Sequence, residues 1–487
     1  MLPHYYAPLK IKTTKEGTRT LIEKPPAVIG EGTYGCVHRP SLRCGNKAKI
    51  NYDGKISKLG KKKHINEEIA EYATIARVDK TNFFYPGKPN SCPPMRDEPT
   101  LEAINECRDF KSKDIAKYKL LVMKDGGENL DDYAKSIQSR RSDIPLVRQQ
   151  MEKFWIEAHR MFLGITKFLD AGIVHHDLKH KNIVYNEAQN RINFIDFGLM
   201  TTVDTIKNES RDSNYGFSIR HWSFPPEMLF LNHDRYLQFA DTAITIPKKS
   251  KGATTEKTQR QKEFSKFLNE IKDPDSHLNT FFAITDPEFA EKKQNAFALQ
   301  QHTNEYYSMV MTSLQKSNYD DFLNKSVATI DSYGLASGFI YVLNKTRHLL
   351  NDSMANDLYN LFSNMLNFNV MERVGAIEAL ARYEDILQNH GILAKHNLSF
   401  ENHQLKPNAA TVTQVEKTLG KIRIPKIKVS DVRLESDPES KCPDGTHFNK
   451  KRKRCIGSSS QKRSKTSRRK SAVHKTKKIR VSKKGDL

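Results

Sequence analysis

Gly30, Gly32 and Gly35 sit inside AVIGEGTYGCVHR (27–39) in a G-x-G-x-x-G spacing with strand-forming residues on both sides. That flanking constrains the fold more than any other stretch. A dinucleotide-binding βαβ unit needs a helix directly after such a loop. A second β-type run follows instead, so the glycines read as the turn of a hairpin. Without a Cβ, the backbone can close over a triphosphate and present N–H groups to its oxygens. The same pattern is also common in ordinary hairpins, so it needs partners elsewhere in the chain. The candidate phosphate-contacting stretch is Ile29, Gly30, Glu31, Gly32, Thr33, Tyr34, Gly35 and Val37.

INYDGKISKL reads as a strand entered through an Asp-Gly turn, and HINEEIAEYATIARV as an amphipathic helix. A phosphate-neutralising lysine belongs on that strand. Lys58 is selected because Lys47, Lys49 and Lys55 lie nearer the turn, and period-2 alternation puts Ile56 on its face, toward the adenine. Glu71 is the expected helix partner of Lys58, one turn before Ile75, with Glu67 and Glu68 close to the same face. Residues 86–99 are proline-dense loop. The strand KLLVM ends at Lys124-Asp125-Gly126-Gly127, where a boundary between two lobes is expected. The run 146–171 is helical and stops at Gly172.

His175-His176-Asp177-Leu178-Lys179-His180-Lys181-Asn182 brings a carboxylate, a lysine two residues on and a carboxamide five residues on to one centre. Asp177 can accept a hydroxyl proton, Lys179 can stabilise charge on a transferring phosphoryl group, and Asn182 can hold a metal ion. Ile195-Asp196-Phe197-Gly198 then supplies the main metal carboxylate and a pivot. Three histidines in the first motif also permit a metal-site reading, which phosphate chemistry makes unnecessary.

In this order the motifs resemble the eukaryotic-type protein kinase signature over about residues 25–390. The resemblance implies an α+β bilobal fold: a small β-rich lobe with one helix (about 25–124), a larger helical lobe (about 127–390), and ATP with Mg²⁺ as cofactors, Mn²⁺ as substitute. It implies that Met123 is the gatekeeper and Lys124, Asp125 and Gly126 the adenine-binding hinge. Asp331 would anchor the catalytic loop, and Arg373 would pair with Glu227 of Phe224-Pro225-Pro226-Glu227. Lys179 resembles the serine/threonine branch, which implies protein Ser/Thr substrates. IGEGTYGCVHRP, ISKL, FFYP, GGENL, Pro-Pro-Glu and CPDGTHFNKKRKRC together look like the kinases of large nucleocytoplasmic DNA viruses. That narrower likeness implies the host cytoplasm, and packaging into the virion.

Two departures from the signature matter. His176 stands where regulated kinases carry Arg, so activity is expected without phosphorylation in 199–224, despite Thr201, Thr202, Thr205, Ser210, Ser213 and Ser218. A protonated His176 could still bind a phosphate. Residues 232–328 are polar and Lys-rich and read as an insertion beside the peptide-binding surface, where they are expected to shape substrate choice or to be a tolerated surface addition.

The formal charge of +23 is unevenly spread, with +16 in residues 441–487 and +7 in 1–440. Residues 1–24 read as an N-terminal extension, 391–440 as a linker and 441–487 as a basic, Cys-containing, disordered tail. The tail lacks interleaved aromatics, so it suits weak, salt-dependent, sequence-independent nucleic-acid or acidic-protein binding. Six scattered cysteines suggest a reducing compartment, and Cys442, His447 and Cys455 lack a fourth zinc ligand. No run is long and apolar enough for a membrane span, and a cytoplasmic protein is expected. The competing functions are a pseudokinase scaffold and a nucleic-acid-binding or virion protein acting through its tail.

Overall fold

The glycine run does form a hairpin, and it opens a sheet. The computed structural model describes residues 11–13, 19–21, 25–32, 35–45, 50–140, 142–212, 221–244, 274–286, 289, 302, 309–314, 317–408, 446–449 and 454–457. These fall in two units, Met1–Val412 and Thr413–Leu487.

In the first unit, β1 (Ile11–Thr13) and β2 (Arg19–Leu21) pair with each other inside the expected extension. A five-stranded antiparallel sheet follows. Its strands are β3 (Ala27–Gly32), β4 (Gly35–Arg39), β5 (Lys55–Lys61), β6 (Asn90–Cys92) and β7 (Tyr118–Lys124), in spatial order β3-β4-β5-β7-β6. Gly32 lies opposite Gly35, and β5 runs straight into α1 (Lys62–Val78).

Alternation along the strands gives the sheet two faces. On one, Cys36, Leu59, Leu120 and Val122 pack with Ala103 and Ile104 of α2 (Glu98–Glu106). On the other, Leu121 and Met123 meet Ile65, Tyr72 and Ile75 of α1, and this cluster is continuous with the helical core beyond it. The two parts of the chain therefore share a core.

A hairpin-like set of short strands separates the sheet from the helices. β8 (Glu128–Asn129), β10 (Ile183–Asn186) and β11 (Arg191–Phe194) form one sheet, and β9 (Ile173–Val174) pairs with β12 (Thr201–Thr202). The helices are α3 (Leu130–Ser139), α4 (Ile144–Asp170), α5 (Val203–Arg211), α6 (His233–Ile244), α7 (Pro274–Thr285), α8 (Tyr319–Thr346), α9 (Asp352–Met365) and α10 (Ala376–Asn389). Asp143 caps α4 by accepting the Leu146 N–H, and Gly172, at φ 67°, ends it as its position suggested. α8 is buried on nearly every side and serves as the axis against which α3, α4, α7, α9 and α10 pack.

Several expectations need correcting. α8 starts at Tyr319, inside the stretch read as insertion, and Leu278, Phe281 and Phe282 of α7 are buried in the same core, with Phe281 stacked on Tyr333. The described parts of 232–328 are thus built into the helical core. Packed structure also continues past residue 390. A short helix at Ile392–Lys395 leads to β13 (Leu398–Glu401) and β14 (Gln404–Pro407), whose Leu398, Phe400 and Leu405 lie on the core.

In the second unit, β15 (Thr446–Asn449) and β16 (Arg454–Gly457) form a hairpin where disorder was expected. The rest of the tail, including Cys442, lies outside the described residues. Four cysteines expected as thiols are bonded, Cys36 to Cys107 and Cys44 to Cys92. The packing of α2 and of the segment around Cys44 against the sheet brings these pairs together, which spacing along the chain could not reveal. Among the described residues no helix is long and apolar enough to cross a membrane.

Candidate functional site

Lys58 projects from β5 toward α1, as its strand position requires. Its Nζ lies 2.9 Å from Glu68 Oε2 and 3.4 Å from Asp196 Oδ1. The partner is therefore Glu68 and not Glu71. α1 begins at Lys62, and its inward face is Ile65, Glu68, Tyr72 and Ile75, an i, i+3, i+4 series. Glu71 is three residues on, about 300° around the helix, at the edge of that face. Its Oε2 is buried with no hydrogen-bond partner among the described residues. Burial, helped by the charges of Glu68 and Asp196, pushes the Glu71 carboxyl up to about 7. Burial also works against a charge on Lys58, but Asp196 and Glu68 outweigh it and raise its pKa. The lysine is held as a cation.

The second cluster is compact because its members come from one loop. Lys179 Nζ donates to both Asp177 carboxylate oxygens (2.7 and 2.9 Å). Asn182 Nδ2 donates to Asp177 Oδ2 and to its backbone carbonyl (both 2.8 Å). The loop is pinned from below by buried Asp331 on α8, which accepts the backbone N–H of His175 (2.8 Å) and of His176 (3.0 Å). α8 can approach this closely because residue 334 is glycine: a Cβ there would lie 2.7 Å from the Leu178 carbonyl oxygen.

Both anchors expected from the signature are thus in place in the fold, since Arg373 and Glu227 also form a fully buried bidentate pair, with Nη2 to Oε2 at 2.8 Å. His176 and Asp196 sit at φ 70° and 61°, a left-handed backbone uncommon for side chains of this size and concentrated at functional positions.

Asn182 uses its Nδ2 on Asp177, which leaves Oδ1 as an acceptor. Asp196 gives one oxygen to Lys58, and nearly half of its side-chain surface stays exposed. Burial raises its pKa, but Lys58 and His175 more than reverse this and hold the carboxyl below its ordinary value. Two hard oxygen donors on adjoining segments fit a divalent cation such as Mg²⁺. Above them, a Cβ at Gly30 or Gly32 would meet nothing within 4 Å, whereas one at Gly35 would lie 2.9 Å from Leu59 O. Gly35 is required by the sheet itself, and the first two glycines border open space. Thr33 and Tyr34 lie outside the described residues.

Of the residues expected as a hinge, Lys124 ends β7 and Asp125 and Gly126 follow it. Asp125 is committed elsewhere: its carboxylate pairs with Arg39 (2.7 Å) and its N–H donates to Gly54 O (2.8 Å). Lys124 and Gly126 remain as the backbone positions beside Met123, which pairs with Ile56 across β5.

Two features were not read from the sequence. Arg39 also donates to Gly127 O (2.9 Å), tying β4 to the hinge. Phe197 is buried in an aromatic column with Tyr72 (5.4 Å), Tyr85 (6.2 Å) and His175 (5.0 Å), linking α1 to both loops. The signal for Tyr72 was its place one turn beyond Glu68.

His176 cannot serve as a phosphate clamp, because burial drives its pKa to about 4 and its ring packs on Phe224 at 5.6 Å. Of the loop hydroxyls, Ser210 is buried and Thr202 caps α5 by accepting the Thr205 N–H. Ser213 and Ser218 lie outside the described residues.

The ABC1 atypical kinase-like domain matches residues 113–213, a stretch containing Met123, Asp177, Lys179, Asn182 and Asp196. The chain carries a protein-kinase-like domain. No curated protein matches it. The matched stretch omits the glycine hairpin, Lys58 and Glu68, of which Lys58 meets Asp196 of that stretch in the fold.

Proposed function

We propose that this kinase-like domain moves the γ-phosphoryl group of ATP to Ser or Thr hydroxyls of proteins. The observation that carries the reading is the pairing of two clusters on adjoining loops: Asp177 with Lys179 and Asn182, and Asp196 with Lys58 and Glu68. Phosphoryl transfer asks a protein mainly for positioning and charge stabilisation. In this reading Asp177 orients the acceptor hydroxyl and takes its proton, Lys179 stabilises charge on the transferring group, and Lys58, fixed by Glu68, neutralises the α- and β-phosphates. Asn182 Oδ1 and Asp196 would hold Mg²⁺, or Mn²⁺ in its place, which supplies charge neutralisation between the phosphates.

Neutral, buried His176 supports activity without loop phosphorylation. The sequence likeness to viral kinases extends the proposal to an infected cell's cytoplasm and to the virion, with the basic residues 441–487 as a polyanion-binding tail. The match to an atypical domain favours a second reading, an acceptor other than a protein side chain.

The test is transfer from labelled ATP with Mg²⁺ to generic proteins, comparing the intact chain with Asp177→Asn and Asp196→Asn, followed by phosphosite mapping. Label on Ser or Thr that both variants abolish supports the proposal. Equal label from all three removes it, and label found only on small molecules supports the second reading.

A further inference from the structure

The residue after the third glycine is Cys36, and it is bonded to Cys107. Cys36 lies opposite Glu31 on one side and Leu59 on the other, at the base of the glycine hairpin. Cys107 caps the end of α2. The next residue, Arg108, donates its N–H to Glu31 Oε1 (2.5 Å), and its guanidinium lies 3.8 Å from Oε2. The hairpin is therefore tied to the end of α2 at two points. The Arg108 side chain is 79% exposed, so that ion pair is weak. The covalent tie is the strong one, and β3, the outer arm of the hairpin, is an edge strand with mostly exposed side chains.

His38 stands on the same strand and face. Its Nε2 donates to Ala103 O at 3.1 Å and lies 3.6 Å from Cys107 Sγ and 3.9 Å from Cys36 Sγ. Burial lowers its pKa, so the ring is neutral.

We propose that Cys36–Cys107 is a reversible thiol–disulfide modification site, addressed by a dithiol reductant, that sets how firmly the glycine hairpin closes on nucleotide. The inference rests on the nucleotide-binding reading above. In the reaction, one thiolate of the reductant attacks Cys107 Sγ, the S–S bond breaks, and Cys36 leaves as a thiolate beside the His38 N–H. The second reductant thiolate then displaces Cys107. Two electrons and two protons pass from the dithiol to the pair, giving two cysteine thiols and the reductant's own disulfide. Both sulfurs are buried, so attack follows opening of the edge hairpin. MgATP, held better by the tied hairpin, shifts the pair toward the disulfide at equilibrium, and by reciprocity reduction weakens MgATP. The second disulfide, Cys44–Cys92, joins segments away from the hairpin turn and serves as the control.

The experiment uses the full chain, purified without reductant, with peptide mapping under non-reducing conditions. Cys36 should be found joined to Cys107, and dithiothreitol should break that link and weaken MgATP binding about 10-fold by loss of preorganisation. Cys36→Ser and Cys107→Ser should bind at the reduced value with or without dithiothreitol. The double variant Cys44→Ser/Cys92→Ser should keep the response. Free thiols or a bound metal at Cys36 and Cys107 before reduction would overturn the proposal, as would an unchanged Kd once the link is broken. If neither form binds MgATP, the nucleotide reading fails by itself. Hydrogen exchange then decides: amides of residues 28–37 must exchange faster after reduction, and equal rates overturn the proposal.

Discussion

Two acid–base pairs lie within the first unit and are built to opposite purposes. Arg373–Glu227 is bidentate and wholly buried, and Arg373 also donates to Asn367 O and Thr329. Lys58–Glu68 is a single contact, partly open, and shares its lysine with Asp196. The first is sealed from solvent and has nothing to offer a ligand. The second leaves a cation beside an exposed carboxylate at the mouth of a glycine hairpin. A sealed pair holds segments together, and an unsealed one can redistribute its charge when phosphate arrives.

If that contrast is right, breaking the sealed pair should cost folding and breaking the open one should cost chemistry. Glu227→Gln strands a buried guanidinium and should lower stability by about 3–5 kcal/mol in denaturant titration. Activity per folded molecule should be nearly kept. Lys58→Met should do the reverse, reducing phosphoryl transfer by about 10²-fold or more, near 3 kcal/mol in the barrier, with a stability change of about 1 kcal/mol. A large stability loss in Lys58→Met, with transfer intact, would erase the distinction.

The loop around Asp177 has its own pH signature. Burial brings His176, His180 and His221 to about 4. The unfolded chain binds their protons from about pH 6.5 downward while the folded chain does not, so stability is full above 6.5 and falls as pH drops toward 4. Thermal melts across that window should show a loss on the order of 3 kcal/mol for each of the three histidines that stays uncharged in the folded chain. A flat profile would mean the histidines are wetter than the fold implies.

Glu71 gives the smallest effect and the opposite sign. Its folded pKa, about 7, exceeds the unfolded value, so it weakens the fold increasingly as pH rises toward 7 and no further above it. Glu71→Gln should add about 1 kcal/mol at pH 8, nothing at pH 5, and leave transfer unchanged. Glu68→Gln should instead lower transfer.

What the sequence alone determined were contacts made within a few residues or between strongly patterned segments. Asp177, Lys179 and Asn182 are one loop, so their spacing already encodes their meeting. Lys58 and Ile56 share a face because a strand alternates. Asp331, Glu227 and Arg373 were legible through the order of motifs. Tertiary structure decided what depends on rotation and register. Glu68 faces Lys58, and Glu71 does not, because the packing of Ile65, Tyr72 and Ile75 fixes the turn of α1 about its axis. The join of Cys36 to Cys107 across 71 residues depends on how α2 lies on the sheet, which no spacing records. The built-in α7 and the packed hairpin after residue 390 escaped notice because their polar faces dominate the sequence, while a few aromatic side chains do the burying.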